Sequence, residues 1–416
     1  MPLLIDTSPL RESPQFRRLW TGYAVNQLGS QLTVVAVAYQ IYRLTGSSLD
    51  VGLISLAQII PAIIGPILGG SIADAIDRRT VLFYTNVGGA VCTLALAVNA
   101  SLPHPAIWPL YVLAALAAGF AGADNPTRTA MMISLVDRNS IVAANALRTL
   151  LQQIAYVIGP ATGGLLLAAF GIGTVFWVDV ATFAVALVAV ASLEPHPPHG
   201  GGTRFGLQSV LDGFRFLRNR QAIQGCFVAD LNATILGMPS SLFPALGVQF
   251  FHGGADAVGY LYAAPGAGAF LGALFSGWIP RIHRQGRTII IAIAIWGVAI
   301  AAFGFVHVLW LGLILLAVAG GADVVSAVGR SSILQQEVTD GLRGRLASIQ
   351  TAVVQVGPRL GNGEAGLAAS LGGAQFSVVS GGIGCVVGIA IITVLMPRFA
   401  RYVKPVVEDR VAADVV

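Results

Sequence analysis

The stretch GADNPTR, residues 122–128, stands inside an apolar run that opens at Trp108, and a second Gly-Ala-Asp opens the stretch GADVVSAVGR, residues 321–330. An ionised Asp at the centre of a membrane helix costs about 2.5–3.5 kcal/mol on insertion scales, so each one demands a partner, a wet cavity or a proton. Arg128 follows Asp124 by four residues and Arg330 follows Asp323 by seven, and both spacings return to the same helical face. The expected arrangement is an ion pair at each place, Asp124 with Arg128 and Asp323 with Arg330. Recurrence of the same triplet roughly 200 residues later also points to a duplication.

The residues around these stretches explain why charge there is unusual. Of 416 residues, 55% are hydrophobic and 10% charged, and mean hydropathy is +0.77. A soluble domain carries about 25% charged residues. A hydrocarbon core about 30 Å thick is crossed by roughly 20 apolar residues in a helix. Twelve runs of that order can be traced: Leu19–Tyr42, Val51–Ala73, Val81–Ala100, Trp108–Leu135, Ala143–Phe170, Val175–Leu193, Ala222–Phe250, Val258–Ile279, Thr288–Val306, Trp310–Ile333, Leu346–Leu371 and Val378–Leu395. The first is longer than the apolar core of a signal peptide and reads as a retained helix.

A formal charge of +5 and a pI near 9.4 could serve nucleic acid, but placement argues otherwise. Arg17, Arg18, Arg78, Arg79, Arg138, Arg148, Arg215, Arg218, Arg220, Arg281, Arg284, Arg287, Arg343, Arg345, Arg398, Arg401 and Lys404 fall at the termini and in alternate loops, with Arg43 the exception. This asymmetry predicts a multi-pass protein of the inner (plasma) membrane with both termini in the cytoplasm, lipid as its surroundings and no nucleic-acid partner. Cys92, Cys226 and Cys385 lie in apolar runs without metal-ligand spacing, so no metal or cofactor is expected.

The longest polar break, residues 194–220, separates an N-terminal bundle (1–193) from a C-terminal bundle with its tail (221–416). Its basic segment around Phe214 and Leu217 suits a short helix lying on the membrane surface. A second pair of landmarks, GPATGG at 159–164 and GPRLGN at 357–362, keeps nearly the same offset as the Gly-Ala-Asp pair. Parallel six-helix repeats are one plan of secondary transporters, with the substrate site between them near mid-membrane.

The turn GGSIADAIDRR, residues 69–79, resembles the signature of the major facilitator superfamily at Gly70, Ala73, Asp74, Arg78 and Arg79, departing from it at Ala75 and Asp77. GPATGG is similar to the Gly-Pro-x-x-Gly-Gly motif of proton-driven exporters at Gly159, Pro160, Gly163 and Gly164, with Ala155 where a further glycine is usual. The stretches MPSSLFPALG (238–247), GYLYAAPGAGAFLGALFSG (259–277) and LRGRLASIQTAVVQVGPRLG (342–361) look like the branch that contains the bacterial enterobactin exporter. The resemblance implies an all-α membrane fold of twelve transmembrane helices in two six-helix repeats. It also implies proton antiport that exports siderophore-like or drug-like amphipathic molecules by alternating access. A monomer that catalyses no reaction is expected.

Within that frame the signature residues, Arg128, Arg330 and the GPATGG residues are candidates for gating, with Arg128 meeting Asp74 across the inner gate. Asp230, Asp124, Asp323 and Glu364 are candidates for carrying the proton, although structural ion pairing and hydrogen bonding explain the same residues. Asn26, Gln27, Ser30 and Gln31 can line a substrate cavity or bond neighbouring helices. Arg359, five residues before Glu364, can hold an anionic substrate group or pair with that acid. Asp179, following Trp177 near the outer end of a span, is expected to have a solvated or interfacial role, and Tyr23 to be a packing or interface residue. A lipid or metabolite carrier, or an importer, fits the same span pattern. An intramembrane enzyme is disfavoured, since the histidines are scattered and no nucleophile stands in a recognisable motif.

Overall fold

A computed structural model describes residues 6–197, 220–277, 282–337 and 340–404, and every regular element among them is helical. The long helices run α1 (Pro14–Thr45), α2 (Ser48–Ala57, continued by Ile59–Ala75), α3 (Arg78–Ser101), α4 (Trp108–Ser134), α5 (Ile141–Phe170), α6 (Ile172–Ala191), α7 (Gln221–Leu236), α8 (Ala255–Leu274), α9 (Gln285–Phe303) and α10 (Leu309–Glu337). The last run, Asp340–Leu395, turns at Gly373 into α11 (340–372) and α12 (374–395). Gly373 has φ of +87°, a conformation that only glycine adopts without strain. Nine segments among the described residues are long and apolar enough to cross a membrane. Dividing the last of them at Gly373, and adding α1 and α4, whose polar residues lower their hydropathy, gives the twelve passages read from the sequence.

Two spans are less regular than expected. The passage Ala222–Phe250 does not continue as one helix: α7 stops at Leu236, and Ser240–Leu242, Phe243–Ala245 and Leu246–Phe250 are short turns of differing pitch. Gly237 and Pro239 are the local cause, glycine for its conformational freedom and proline for its missing N–H. The carbonyl freed at Gly237 accepts a hydrogen bond from Trp296 Nε1 at 2.8 Å, which satisfies the buried break. In α2, Pro61 cannot donate to the carbonyl of Ala57, and the helix divides at Gln58. Most of the basic segment expected to lie on the membrane surface, including Phe214, Arg215, Leu217 and Arg218, falls outside the described residues.

The helices alternate in direction, so Arg17, Arg18, Arg78, Arg79, Arg138, Arg284, Arg287, Arg398 and Arg401 gather at one end of the molecule. The opposite end carries the turns at Gly46, Gly171 and Gly373. Toward that opposite end the first six helices meet the last six. A Cβ added to Gly164 of α5 would stand 2.6 Å from Gly259 Cα of α8, so the two backbones touch with no room for a side chain. In the same region Gly52 of α2 abuts the backbone of Asn362 in α11, and Gly366 abuts Ser48. One buried apolar cluster, built from Leu32, Val35, Ile41, Val175 and Phe176, takes in Ala255 and Val258 from the other six helices. The outer girdle is apolar, with Ile60, Val188 and Leu395 all more than two-thirds exposed, as a lipid-facing surface requires.

Candidate functional site

Five of the charged residues within the spans form two clusters, one in each set of six helices. In α4, Arg128 grips Asp124 with two nitrogens: Nε is 2.6 Å from Oδ2, and Nη2 is 2.7 Å from Oδ1. The i,i+4 spacing brings the two side chains side by side on one face, as the sequence led us to expect. Asp124 Oδ1 also accepts hydrogen bonds from Thr85 Oγ1 (3.1 Å) and Asn86 Nδ2 (2.9 Å) of α3. The guanidinium lies 4.9 Å above the Tyr23 ring of α1. Tyr23 is thus a cation-binding face rather than the packing residue read from its type. Arg128 is buried, and its Nη1 has no hydrogen-bond partner.

The second cluster departs from the sequence reading. Arg330 Nη2 is 2.8 Å from Asp230 Oδ1 of α7, whereas Asp323 of its own helix stands at 4.0 Å. Nη1 of the same arginine donates to Ser326 Oγ at 2.8 Å. The reason is axial distance. Seven residues rise about 10.5 Å along a helix, which a single side-chain pair spans poorly, while the neighbouring α7 offers a carboxylate at closer range. Asp230 is therefore joined to α10, and Asp323 is the peripheral member.

Arg128 does not meet Asp74. Asp74 is exposed at the basic end and forms no ion pair among the described residues, and a Cβ at Gly70 would meet nothing. The structural work in this turn falls to Asp77, the position that departs from the family signature. Its carboxylate caps α3 by accepting from Arg79 N (3.3 Å) and Thr80 Oγ1 (3.2 Å), and also accepts from His196 N at 2.7 Å. Arg79 Nη2 donates to the Ala191 carbonyl at 2.6 Å, and Arg78 N to the His196 carbonyl at 3.3 Å. The α2–α3 turn is thereby tied to the end of α6.

Asp179 is a further correction. It is 1% exposed, not solvated, and accepts from Thr33 Oγ1 (2.6 Å) and Thr182 Oγ1 (2.9 Å). Gly22 and Gly29 allow α1 to lie close enough to α6 for this. Along α1, Asn26 is buried with its Nδ2 unpartnered, and Gln27, Ser30 and Gln31 are half-buried. Gln31 also packs on Gly159 of α5, so it serves helix contact as well as any cavity.

In α11, Arg359 and Glu364 do not pair. Arg359 Nη1 donates to the carbonyl and side chain of Gln355, and its buried Nε lacks a partner. Glu364 is half-buried and forms no ion pair among the described residues. Between them stands a residue the sequence reading passed over. Asn362 Nδ2 donates to Ser55 Oγ of α2 (3.1 Å), its Oδ1 accepts from Ser240 Oγ (2.7 Å) and Ser241 N (3.0 Å), and its carbonyl accepts from Ser241 Oγ (2.9 Å). It joins both sets of helices to the break after α7. The only signal was its place at the end of GPRLGN, opposite the glycine that ends GPATGG.

The chain also matches a family model described as transmembrane secretion effector, over residues 6–408. It belongs to that family, within the major facilitator superfamily. Among curated relatives, an enterobactin exporter (EntS) of Citrobacter koseri is 29% identical over 405 residues, covering 97% of this chain and 96% of the relative. Another, from Shigella boydii serotype 18, is 30% identical over 395 residues, covering 94% and 93%. Solved structures with the same fold include the nucleoside transporter NupG, with a TM-score of 0.73, 14% identity and coverage of 93% and 98%. A bacterial homologue of the lysosomal transporter Spinster gives 0.72 at 15% identity, with coverage of 94% and 98%. The protein is thus a multi-pass membrane transporter of the major facilitator fold.

Proposed function

We propose that this protein exports small amphipathic molecules of the siderophore or drug-like class from the cytoplasm in exchange for protons. It would work as a monomer in the inner membrane, with the arginine-rich end and both termini inside. The observation that carries the coupling is the cluster of one arginine, Arg330, within reach of two carboxylates on different helices, Asp230 at 2.8 Å and Asp323 at 4.0 Å. With both acids ionised the cluster holds one negative charge in excess, and a proton neutralises it. Asp230 also links α7 to α10, so a change in its charge alters a contact between two helices of the C-terminal set.

The packing of Gly164 on Gly259 and the Asn362–Ser55 bond support a reading in which the end away from the arginines is shut in this conformation, leaving the substrate path open to the cytoplasm. Asn26, Arg359 and Glu364 are then the polar groups available to substrate. Full-length similarity to enterobactin exporters supports a catecholate siderophore as the first compound to try.

The test uses proteoliposomes with an imposed pH gradient and a panel of labelled catecholate siderophores and amphipathic dyes. Gradient-driven flux of at least one compound is expected, with proton counterflow, and its loss in Asp230→Asn. Flux that ignores the gradient, or that survives Asp230→Asn unchanged, would remove proton coupling through this cluster. Flux running only toward the arginine-rich side would make the protein an importer.

A further inference from the structure

At the basic end, between the start of α9 and the end of α12, lies an open groove of about 740 Å³ lined by Arg284, Arg287, Arg401, Thr288, Thr393 and Pro397. None of its three arginines forms an ion pair among the described residues, and all three are exposed. The groove is held in shape by backbone bonds. Gly286 N donates to the Tyr402 carbonyl at 3.4 Å, and Lys404 N to the His283 carbonyl at 2.8 Å, so the chain after α12 is laced to the entry of α9. Its remaining wall is apolar and outward-facing: Ile291 is 58% and Val394 78% exposed. The same face continues along the two helices through Ile295, Val298 and Ile391, each between two-fifths and three-fifths exposed.

A pocket whose mouth carries three arginines without an ion pair among the described residues, with hydrocarbon-facing side chains below it, matches one kind of molecule. We infer that this groove binds the phosphate headgroup of an anionic phospholipid, with the acyl chains lying along the α9–α12 face. The guanidiniums supply charge-assisted, planar hydrogen bonds to phosphate oxygens. Basic pockets between transmembrane helices are where such headgroups are recognised. A soluble phosphate compound shares the charge but gains nothing from Ile291, Val394 and the apolar strip beyond them. Because Arg401 follows α12 and Arg284 precedes α9, an occupied groove also pins the C-terminal chain to the bundle. None of these residues belongs to the charged clusters assigned to transport.

Native mass spectrometry of the full-length protein released from detergent tests this directly, with phosphatidylglycerol and phosphatidylcholine as paired lipids and glycerol 3-phosphate as soluble competitor. The wild type should retain phosphatidylglycerol in preference to phosphatidylcholine by tenfold or more. Each arginine near a membrane surface contributes about fivefold to anionic lipid binding, so R284Q/R287Q/R401Q should weaken retention on the order of 10²-fold. R284K/R287K/R401K should stay within about fivefold of the wild type. Should the triple glutamine variant fail to fold, R287Q alone should lose about fivefold. Equal retention of the two lipids would overturn the inference, as would an equal loss in the control R17Q/R18Q. Displacement of the lipid by an equimolar amount of glycerol 3-phosphate would also overturn it, marking a site for free phosphate compounds.

Discussion

Replacing Gly164 with alanine should drive the two sets of six helices apart at the end where they now meet. The added Cβ would stand 2.6 Å from Gly259 Cα and 2.8 Å from the Ala255 carbonyl oxygen. Comfortable carbon contacts begin near 3.5–4.0 Å, so α5 and α8 must separate by about 1 Å. Both obstructing groups are backbone, which no rotamer change can move aside. Overpacking of this kind costs about 1–3 kcal/mol, equivalent to shifting the conformational equilibrium by roughly 5-fold to 150-fold away from this packing. The shift can be read by spin-label distance measurements between Leu44→Cys, at the end of α1, and Val308→Cys, before α10, both partly exposed at the opposite end from the arginines. The native Cys92, Cys226 and Cys385 are buried and would be replaced by serine first. The expected outcome is a population at longer distance that grows in Gly164→Ala and again in Gly259→Ala. An unchanged distance distribution in both variants, with the protein folded, would refute the argument that this glycine contact holds the end closed.

Three other outcomes are expected. Asp230→Asn leaves the buried Arg330 with Asp323 at 4.0 Å as its one carboxylate among the described residues, beside the neutral Ser326 hydroxyl, so the melting temperature should fall by an amount matching about 3–5 kcal/mol; the double variant Asp230→Asn, Arg330→Gln should recover most of it. Equal melting of the single and double variants would contradict the pairing. Asn362→Ala removes side-chain hydrogen bonds to Ser55, Ser240 and Ser241, each worth about 0.5–1.5 kcal/mol net, and should raise hydrogen exchange in α2 and the break after α7 while sparing α4. Tyr23→Phe keeps the aromatic face under Arg128 and should melt closer to the wild type than Tyr23→Leu, which should lose about 0.5–2 kcal/mol more in a thermal melt.

Much of the candidate site could be read from local spacing, and the rest could not. Asp124 and Arg128 pair as an i,i+4 relation demands, since both partners ride on one helix whose geometry is known in advance. Arg330 has the same chemistry, yet its partner lies 100 residues away in sequence on α7, and nothing in the period of α10 names the helix it will meet. Asp179 shows the converse. Its position after Trp177 suggested water, while two glycines in α1 created the closeness that buries it against Thr33. Asn362 is an ordinary polar residue in a glycine-rich stretch until the break at Gly237 brings Ser240 and Ser241 onto it.

By itself the sequence determined that the chain is built from apolar runs long enough to cross a membrane, that its basic residues are segregated to one end, and that the Gly-Ala-Asp unit occurs twice. Those properties depend on hydropathy, charge count and helical period, which are local or additive quantities. Only the tertiary structure decided which carboxylate Arg330 holds, which glycines bring the two sets of helices into contact, and which arginines gather at the mouth of a groove. Contacts between helices depend on rotation, tilt and approach distance, and each of these is set by the whole packing rather than by any one stretch of residues.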